Sequence, residues 1–271
     1  EFRRVLFRSN LEIHLSTQFS ATNSLLVNYL FEQGISRVVL ARELSLAEIK
    51  EVKKKSRAEL EIFIHGGMCV SYSGRCSLSN YQVLRDANRG GCAHSCRWLY
   101  NLYEGNELLS EDFDFQMSSK DLNAIEFIKD LLDLGIESLK IEGRMKSIHY
   151  LATIVSAYRL LIDDYYQDKL RDLSYYQNEI KKAENRLTST GFFKGDTGVN
   201  EQLYNQRSEE PTQDFVGLVL AYDEDRRQVL IEQRNFFLPN DWLEIYTPEK
   251  ATIIFRAKEI FDFTGNSLEA A

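Results

Sequence analysis

From Leu11 onward, short apolar runs alternate with amphipathic stretches, and that alternation restricts the fold more than any other feature. LEIHLST (11–17), RVVLA (37–41), ELEIFIHG (59–66) and ESLKIEG (137–143) read as strands. Between them, NSLLVNYLFEQG (23–34) reads as an amphipathic helix stopped by Gly34, and LSLAEIKEVKKKS (44–56) as a helix with Ser45 as its cap. SSKDLNAIEFIKDLLDLG (118–135) reads as a further capped helix. A long helix opens near Met145, with Leu151, Ile154, Val155, Tyr158, Ile162 and Tyr165 at core spacing. Strands joined through helices give a parallel sheet with right-handed crossovers, either doubly wound or part of a barrel. No Gly-rich phosphate fingerprint follows a strand, which disfavours a dinucleotide-binding sheet. Each strand is followed at once by polar residues: Thr17-Gln18, Arg42-Glu43, His65-Gly66 and Glu142-Gly143-Arg144. Barrel enzymes place their reactive groups past the carboxyl ends of several strands. The expected fold class is therefore α/β, the C-terminal half of a (β/α)8 TIM-like barrel over residues 10–170.

The character changes past residue 170. A helix and linker are expected over 171–210, then a small antiparallel β-barrel domain over 211–271 whose end is expected to be cut short. Its candidate strands are FVGLVLAYD (215–223), RQVLIEQ (227–233), DWLEIYTP (241–248) and ATIIFRAKEIFDF (251–263). Residues 1–9, EFRRVLFRS, resemble the translation of a sequencing adapter, so they are expected to be foreign and the chain a fragment of a longer protein. No apolar run approaches the roughly 20 residues that cross a bilayer. The expectation is no membrane span and a cytoplasmic location.

All four cysteines fall in one loop, 67–116, as Cys69, Cys76, Cys92 and Cys96 with the spacing C-x6-C-x15-C-x3-C. Two disulfides fit a small extracellular framework better than a sizeable α/β chain. Zinc suits four thiolates, though the C-x2-C knuckles of zinc ribbons are missing. A catalytic thiol beside His65 or His94 leaves three cysteines unexplained. An iron–sulfur cluster takes four thiolates at varied spacings, and Gly74, Gly90 and Gly91 let the backbone approach it. Spacing alone leaves these readings open. The net charge of −8 argues against a wholly basic nucleic-acid binder, but residues 201–271 carry 14 acidic and 7 basic side chains and so hold most of it. Around the cysteines the sign reverses: Arg75, Arg85, Arg89 and Arg97 face only Asp86.

Three stretches in this order, HGGMCVSYSGRCSLSNY, RDANRGGCAHSCRW and SLKIEGRMKS, resemble the collagenase-like family 32 of peptidases of unknown catalytic type. STQ (16–18) and LARELS (40–45) fit the same pattern, and the resemblance covers roughly residues 11–200. It implies a [4Fe–4S] cluster on Cys69, Cys76, Cys92 and Cys96, with zinc as the alternative. It further implies an RNA-modifying enzyme, either a tRNA wobble-uridine 5-hydroxylase that uses prephenate or a ribosomal RNA hydroxylase. Two alternatives stay open: a collagenase-like peptidase, and a non-catalytic cluster-bearing subunit that supports a paralogous partner. Against proteolysis stand the absence of H-E-x-x-H and of a G-x-S-x-G elbow around Ser73.

The expected catalytic residues are His65, Glu142 and Arg144, at the barrel mouth. Arg42, Arg75, Arg85, Arg89, Arg97 and Lys140 are expected to bind the anion, a phosphate or the carboxylates of a small organic acid. Lys146 adds to the basic footprint, and Trp98 and Tyr100 are candidates for stacking a base. Lys140 and Arg144 are expected to keep Glu142 ionised.

Overall fold

The computed structural model describes residues 11–111, 115–183, 186–203, 215–247 and 252–270. Residues 1–9 lie outside the described residues. The chain divides into two compact units, Glu1–Glu210 and Pro211–Ala271.

The strands of the first unit, in chain order, are β1 (His14–Leu15), β2 (Arg37–Val39), β3 (Glu59–Gly66), the hairpin of β4 (Tyr103–Glu104) and β5 (Glu107–Leu108), β6 (Asp121–Asn123), β7 (Ser138–Ile141) and β8 (Thr188–Ser189). β1, β2 and β3 are parallel neighbours, and β7 pairs with β3 in parallel as well. β6 runs antiparallel to the end of β3 and carries β8 parallel on its other side. The parallel α/β sheet expected from the alternation is therefore present, with an antiparallel strand added to it. Among the described residues the strands form an open sheet, and no ring closes.

The two faces of β3 differ, as the period-two geometry of a strand demands. Leu60, Ile62 and Ile64 are nearly inaccessible and join Val38, Leu40, Ile128, Leu131, Ile154 and Leu161 in the core. The opposite face is a polar ladder across three strands. Arg37 pairs with Glu59 at 2.6 Å, while Glu61 accepts from Ser138 (2.8 Å) and from Lys140 (2.7 Å). Burial pushes the Glu61 carboxyl up, but the bonds from Lys140 and Ser138 outweigh it and hold the group below its ordinary value.

The helices start where capping chemistry allows. Asn23 caps Ser24–Glu32 by accepting from Leu26 N–H, and Ser45 with Glu48 forms a capping box on Leu46–Lys55. Ser147 caps Ile148–Tyr166 by accepting from Tyr150 N–H. The buried stripe of that last helix is Tyr150, Ile154, Ala157, Tyr158 and Leu161, whereas Leu151 and Val155 face outward. The core face is thus rotated from the one read in the sequence, toward the side where the buried His65 packs.

The helix expected over 118–135 is mostly not one. Its first part is β6, followed by a 3-10 turn at Ile125–Phe127 and an α-helix only at Ile128–Asp133. Asn123 Oδ1 accepts from Ile125 N–H, a local turn that stops strand pairing and delays the helix. In the second unit the antiparallel segments lie where expected, as Gly217–Asp223 with Gln228–Gln233 and Trp242–Tyr246 with Thr252–Arg256. A two-residue pairing, Ile260–Phe261 with Ser267–Leu268, follows. These are separate two-stranded sheets, and no β-barrel closes among the described residues.

Glu137 ties helix to sheet, accepting from Leu60 N–H at 2.9 Å and pairing with Lys53 in the last turn of Leu46–Lys55. Glu137→Ala is expected to lower stability by about 1–3 kcal/mol, because a part-buried strand N–H loses its acceptor. In urea unfolding the midpoint should fall at unchanged slope, and an unmoved midpoint would show that the tie carries no stability.

Candidate functional site

The polar residues that follow the strands converge on the backbone of the cysteine loop. After β1, Ser20 Oγ donates to Ser73 O, and Thr17 Oγ1 lies 3.3 Å from Ser73 Oγ. After β2, the Glu43 carboxylate accepts from Ser73 N–H and from Ser73 Oγ at 3.1 Å, while Arg42 Nη1 donates to Gly67 O. After β7, Arg144 Nη1 donates to Gly90 O at 2.9 Å. Two close backbone approaches complete the anchoring. Gly66 (φ +103°) passes the Glu142 carbonyl and Gly74 (φ +71°) the Gln18 carbonyl, each where a Cβ would collide. The strand-end residues thus act first as anchor points for the loop.

Beneath the loop lies Asp121, its side chain 3% exposed. Three cations reach it: Arg186 at 3.1 Å, Lys146 at 3.2 Å and Arg97 at 3.5 Å. The contacts of Oδ1 are ionic and lack the alignment of hydrogen bonds. Arg97 comes from the cysteine loop, Lys146 from the turn after β7 and Arg186 from the segment before β8. Arg42 sits nearby, 3.8 Å over the Phe63 ring, and burial lowers its pKa from the ordinary arginine value against the pull of Glu142 and Cys69. The space around Gly67 is shared by Arg97 and Glu142, whose Oε1 also accepts from Arg144 N–H at 3.2 Å. Cations outnumber carboxylates here, so the cluster attracts negative charge.

The four thiols are free, with Cys69 exposed and Cys76, Cys92 and Cys96 partly so. Crowding in the loop raises the Cys69 thiol first by desolvation, with Cys76 and Cys92 adding to it. Desolvation likewise pushes Cys96 up to about 11, with Cys69, Cys92 and Cys76 contributing. Each of these two sulfurs therefore feels the other thiols across the loop. Backbone amides already address two of them: Ser71 N–H bonds to Cys69 and His94 N–H lies 3.4 Å from Cys92 Sγ. Such donors, with Arg42 and Arg97 alongside, stabilise thiolates. Among the described residues no three His, Cys, Asp or Glu side chains are drawn together as a ready-made single-ion site. Four thiols in one loop are the donor type that zinc and iron–sulfur centres share.

The remaining sequence-predicted residues divide sharply. His65 is 1% exposed and does not open on a cavity. The register of β3 against β7 shifts between Phe63 and His65, so the ring turns to Tyr150 and Tyr158 of the Ile148–Tyr166 helix. Its Nδ1 lies 3.2 Å from Tyr158 Oη, which donates to Ile64 O at 3.0 Å. Lys140 is engaged by Glu61 on the polar face of the sheet. Arg75, Arg85 and Arg89 point into solvent, Arg89 with Asp86 at 3.3 Å, and so lie apart from the Asp121 cluster. Trp98 is 41% exposed, whereas Tyr100 Oη is tied to Ser95 O at 2.6 Å. Sequence reading missed Asp121 and Arg186. Asp121 sat in an assumed helix, and no local pattern links Arg186 to the site.

A model of peptidase family U32 matches residues 5–203, and a model of the U32 C-terminal domain matches residues 211–271. A Bacillus subtilis protein named tRNA hydroxylation protein P1 is 49% identical over 270 residues, covering 97% of this chain and 64% of that protein. The Escherichia coli tRNA hydroxylation protein P is 32% identical over 311 residues, covering 96% of this chain and 68% of that protein. A Porphyromonas gingivalis protein named collagenase is 34% identical over 168 residues, covering 57% of this chain and 40% of that protein. The chain thus spans less than two thirds of the Bacillus subtilis relative. No solved structure matches it. Among the described residues no helix is long and apolar enough to cross a membrane.

Asp121→Asn should destabilise the first unit by about 3–5 kcal/mol, since it removes the buried carboxylate that Arg186, Lys146 and Arg97 share. Hydrogen exchange should quicken in the 92–97 segment, and unchanged protection there would show that Asp121 does not hold the loop. Burial lowers His65 from the ordinary 6.5 to about 4, against the attraction of Asp121. The unfolded chain then takes up this proton at a higher pH than the folded one. Stability should fall as pH drops from 6.5 to 4 and level off below, by roughly 3 kcal/mol for this group. In His65→Gln that part of the slope should vanish, and a slope that persists would belong to other groups.

Proposed function

The chain belongs to peptidase family U32, and we propose that it serves RNA hydroxylation, with tRNA as its substrate. The observation that carries this reading is the gathering of four free thiols in one loop whose Arg97 reaches the cation-rich cluster around Asp121. The names of its relatives from Bacillus subtilis and Escherichia coli support the same chemistry. In this proposal Cys69, Cys76, Cys92 and Cys96 would hold a [4Fe–4S] cluster, with a zinc centre as the competing assignment. Such a cluster supplies electron transfer.

The finer reaction proposed is 5-hydroxylation of a wobble uridine. Arg42, Arg97 and Arg144 bind and orient a small organic acid of the prephenate type, whose carboxylates match guanidinium forks. Glu142 sits among these arginines and orients them. The outward-facing Arg75, Arg85 and Arg89, interleaved with exposed Tyr72, Tyr81 and Trp98, give phosphates and unpaired bases a surface to meet. The polar ladder of Arg37, Glu59, Glu61 and Lys140 is the face that points inward if further strands close a (β/α)8 barrel. Dependence on a paralogous partner subunit belongs to the same proposal.

Two measurements test it. The full chain is expressed without oxygen and assayed for visible absorption, iron and sulfide. The expected result is a coloured protein with all four cysteines required, so that Cys96→Ser loses the absorption. A colourless protein with stoichiometric zinc overturns the cluster. Nucleosides from tRNA of a deletion strain are then compared with those of a complemented strain. Loss and recovery of a hydroxylated uridine is expected. Unchanged nucleosides together with gelatin cleavage by the pure protein would move the assignment to a peptidase.

A further inference from the structure

A cavity of about 510 Å³ opens beside Cys69, on the side of the loop that meets β8 and the Gly191–Lys194 turn. Its wall contains polar groups that the fold leaves unused. Arg42 Nε is buried with no hydrogen-bond partner, although the same guanidinium donates through Nη1 to Gly67 O. Ser119 Oγ is also buried without a partner. Lys120, next in the wall, makes no ion pair among the described residues. The two carboxylates that line the cavity are already engaged: Glu43 accepts from Ser73, and Glu201 from Gly198 N–H at 2.8 Å. What remains in the cavity's wall is one buried N–H and one buried hydroxyl without partners, together with one cation that makes no ion pair among the described residues.

Two flat rings, Tyr72 and Phe192, line the same space. Tyr72 is 73% exposed, so its ring is free to take a stacking partner. A buried polar group left unpaired forfeits a hydrogen bond made in water, so a ligand that restores the bond is favoured. Two such groups in one cavity wall, beside aromatic rings and a free cation, describe a ligand with a planar face, a hydrogen-bonding edge and negative charge.

We infer that this cavity receives a single nucleotide of the RNA, turned out of its strand, with the base against Phe192 and Tyr72, its polar edge toward Ser119 and Arg42, and its phosphate toward Lys120. Chemistry on a base requires that the base leave its stack, and the pocket that takes it reads its edge by hydrogen bonds. The volume lies within the range of small-ligand sites, ample for one nucleotide. The inference rests on the RNA reading and adds to it where the reacting base sits, close to Cys69 and apart from the exposed arginines that meet the backbone.

The test uses the full chain, prepared without oxygen, and a stem–loop RNA carrying one 4-thiouridine in its unpaired loop. On irradiation, cross-links should map to Tyr72 or to the Phe192 peptide. Phe192→Leu, which keeps apolar volume but loses the flat face, should weaken RNA binding roughly ten-fold. Ser119→Ala should weaken binding several-fold while the melting temperature holds or rises, because it removes an unpaired buried hydroxyl. That opposite movement of binding and stability is not produced by mere loss of structure. Cross-links confined to Trp98 and its neighbours, with parental affinity in both variants, overturn the cavity assignment and leave the RNA reading intact. Failure of the parent chain to bind the RNA above an unstructured control removes both. If Phe192→Leu does not fold, the cross-link map and Ser119→Ala decide the question without it.

Discussion

A buried aspartate with three cations around it holds the first unit's functional end together. Asp121 opens β6, and Arg97, Lys146 and Arg186 reach it from the cysteine loop, the turn after β7 and the approach to β8. A lone carboxylate at that depth would be strongly disfavoured, and so would three lone cations. Each charge therefore makes the others' burial tolerable, and segments far apart in sequence are fixed to one point. The arrangement is also unbalanced. With Arg42 and Arg144 close by and Glu142 and Glu43 on the acidic side, cations still outnumber carboxylates among the described residues at the base of a loop that carries four thiols.

That imbalance connects fold to chemistry. Thiolates need nearby positive charge and amide donors, and the loop receives both, from Arg42 and Arg97 and from the Ser71 and His94 N–H groups. The loop is long and short of regular structure, so its shape has to be imposed from outside. Polar side chains after β1, β2 and β7 impose it by bonding to Ser73, Gly67 and Gly90. Residues of the kind usually read as catalytic, at the carboxyl ends of strands, thereby spend much of their bonding capacity on architecture. Two of them are not fully engaged by the loop: Arg42, which lines the cavity, keeps a buried Nε without a hydrogen-bond partner, and Glu142 stands between Arg97 and Arg144.

The parallel sheet was legible because β2, β3 and β7 are short β-prone segments bounded by turn residues, and the cap at Ser45 was legible from local chemistry alone. The 118–135 segment was misread because its apolar spacing suits a helix, while Asn123 and the ion pairs of Asp121 commit its start to a strand. His65 was misread for a different reason. Its place at the end of β3 put it among the polar strand-end residues, but the register shifts after Phe63 and the ring is buried beside Tyr158. Arg75, Arg85 and Arg89 share the loop's charge with Arg97, yet only Arg97 turns inward, and nothing in their spacing separates them.

The sequence by itself determined the α/β alternation, the family resemblance and the gathering of the four cysteines, because each is carried by neighbours along the chain: periodicity, capping residues and spacing within a single loop. Only the tertiary structure decided which charges meet. Asp121, Arg186, Lys146 and Arg97 are brought together by sheet order, and the unused groups of Arg42 and Ser119 acquire meaning only as walls of one cavity. The physical reason is that burial is a property of the whole fold. It fixes which charges must find a partner and which polar groups are left for a ligand, and local sequence does not encode it.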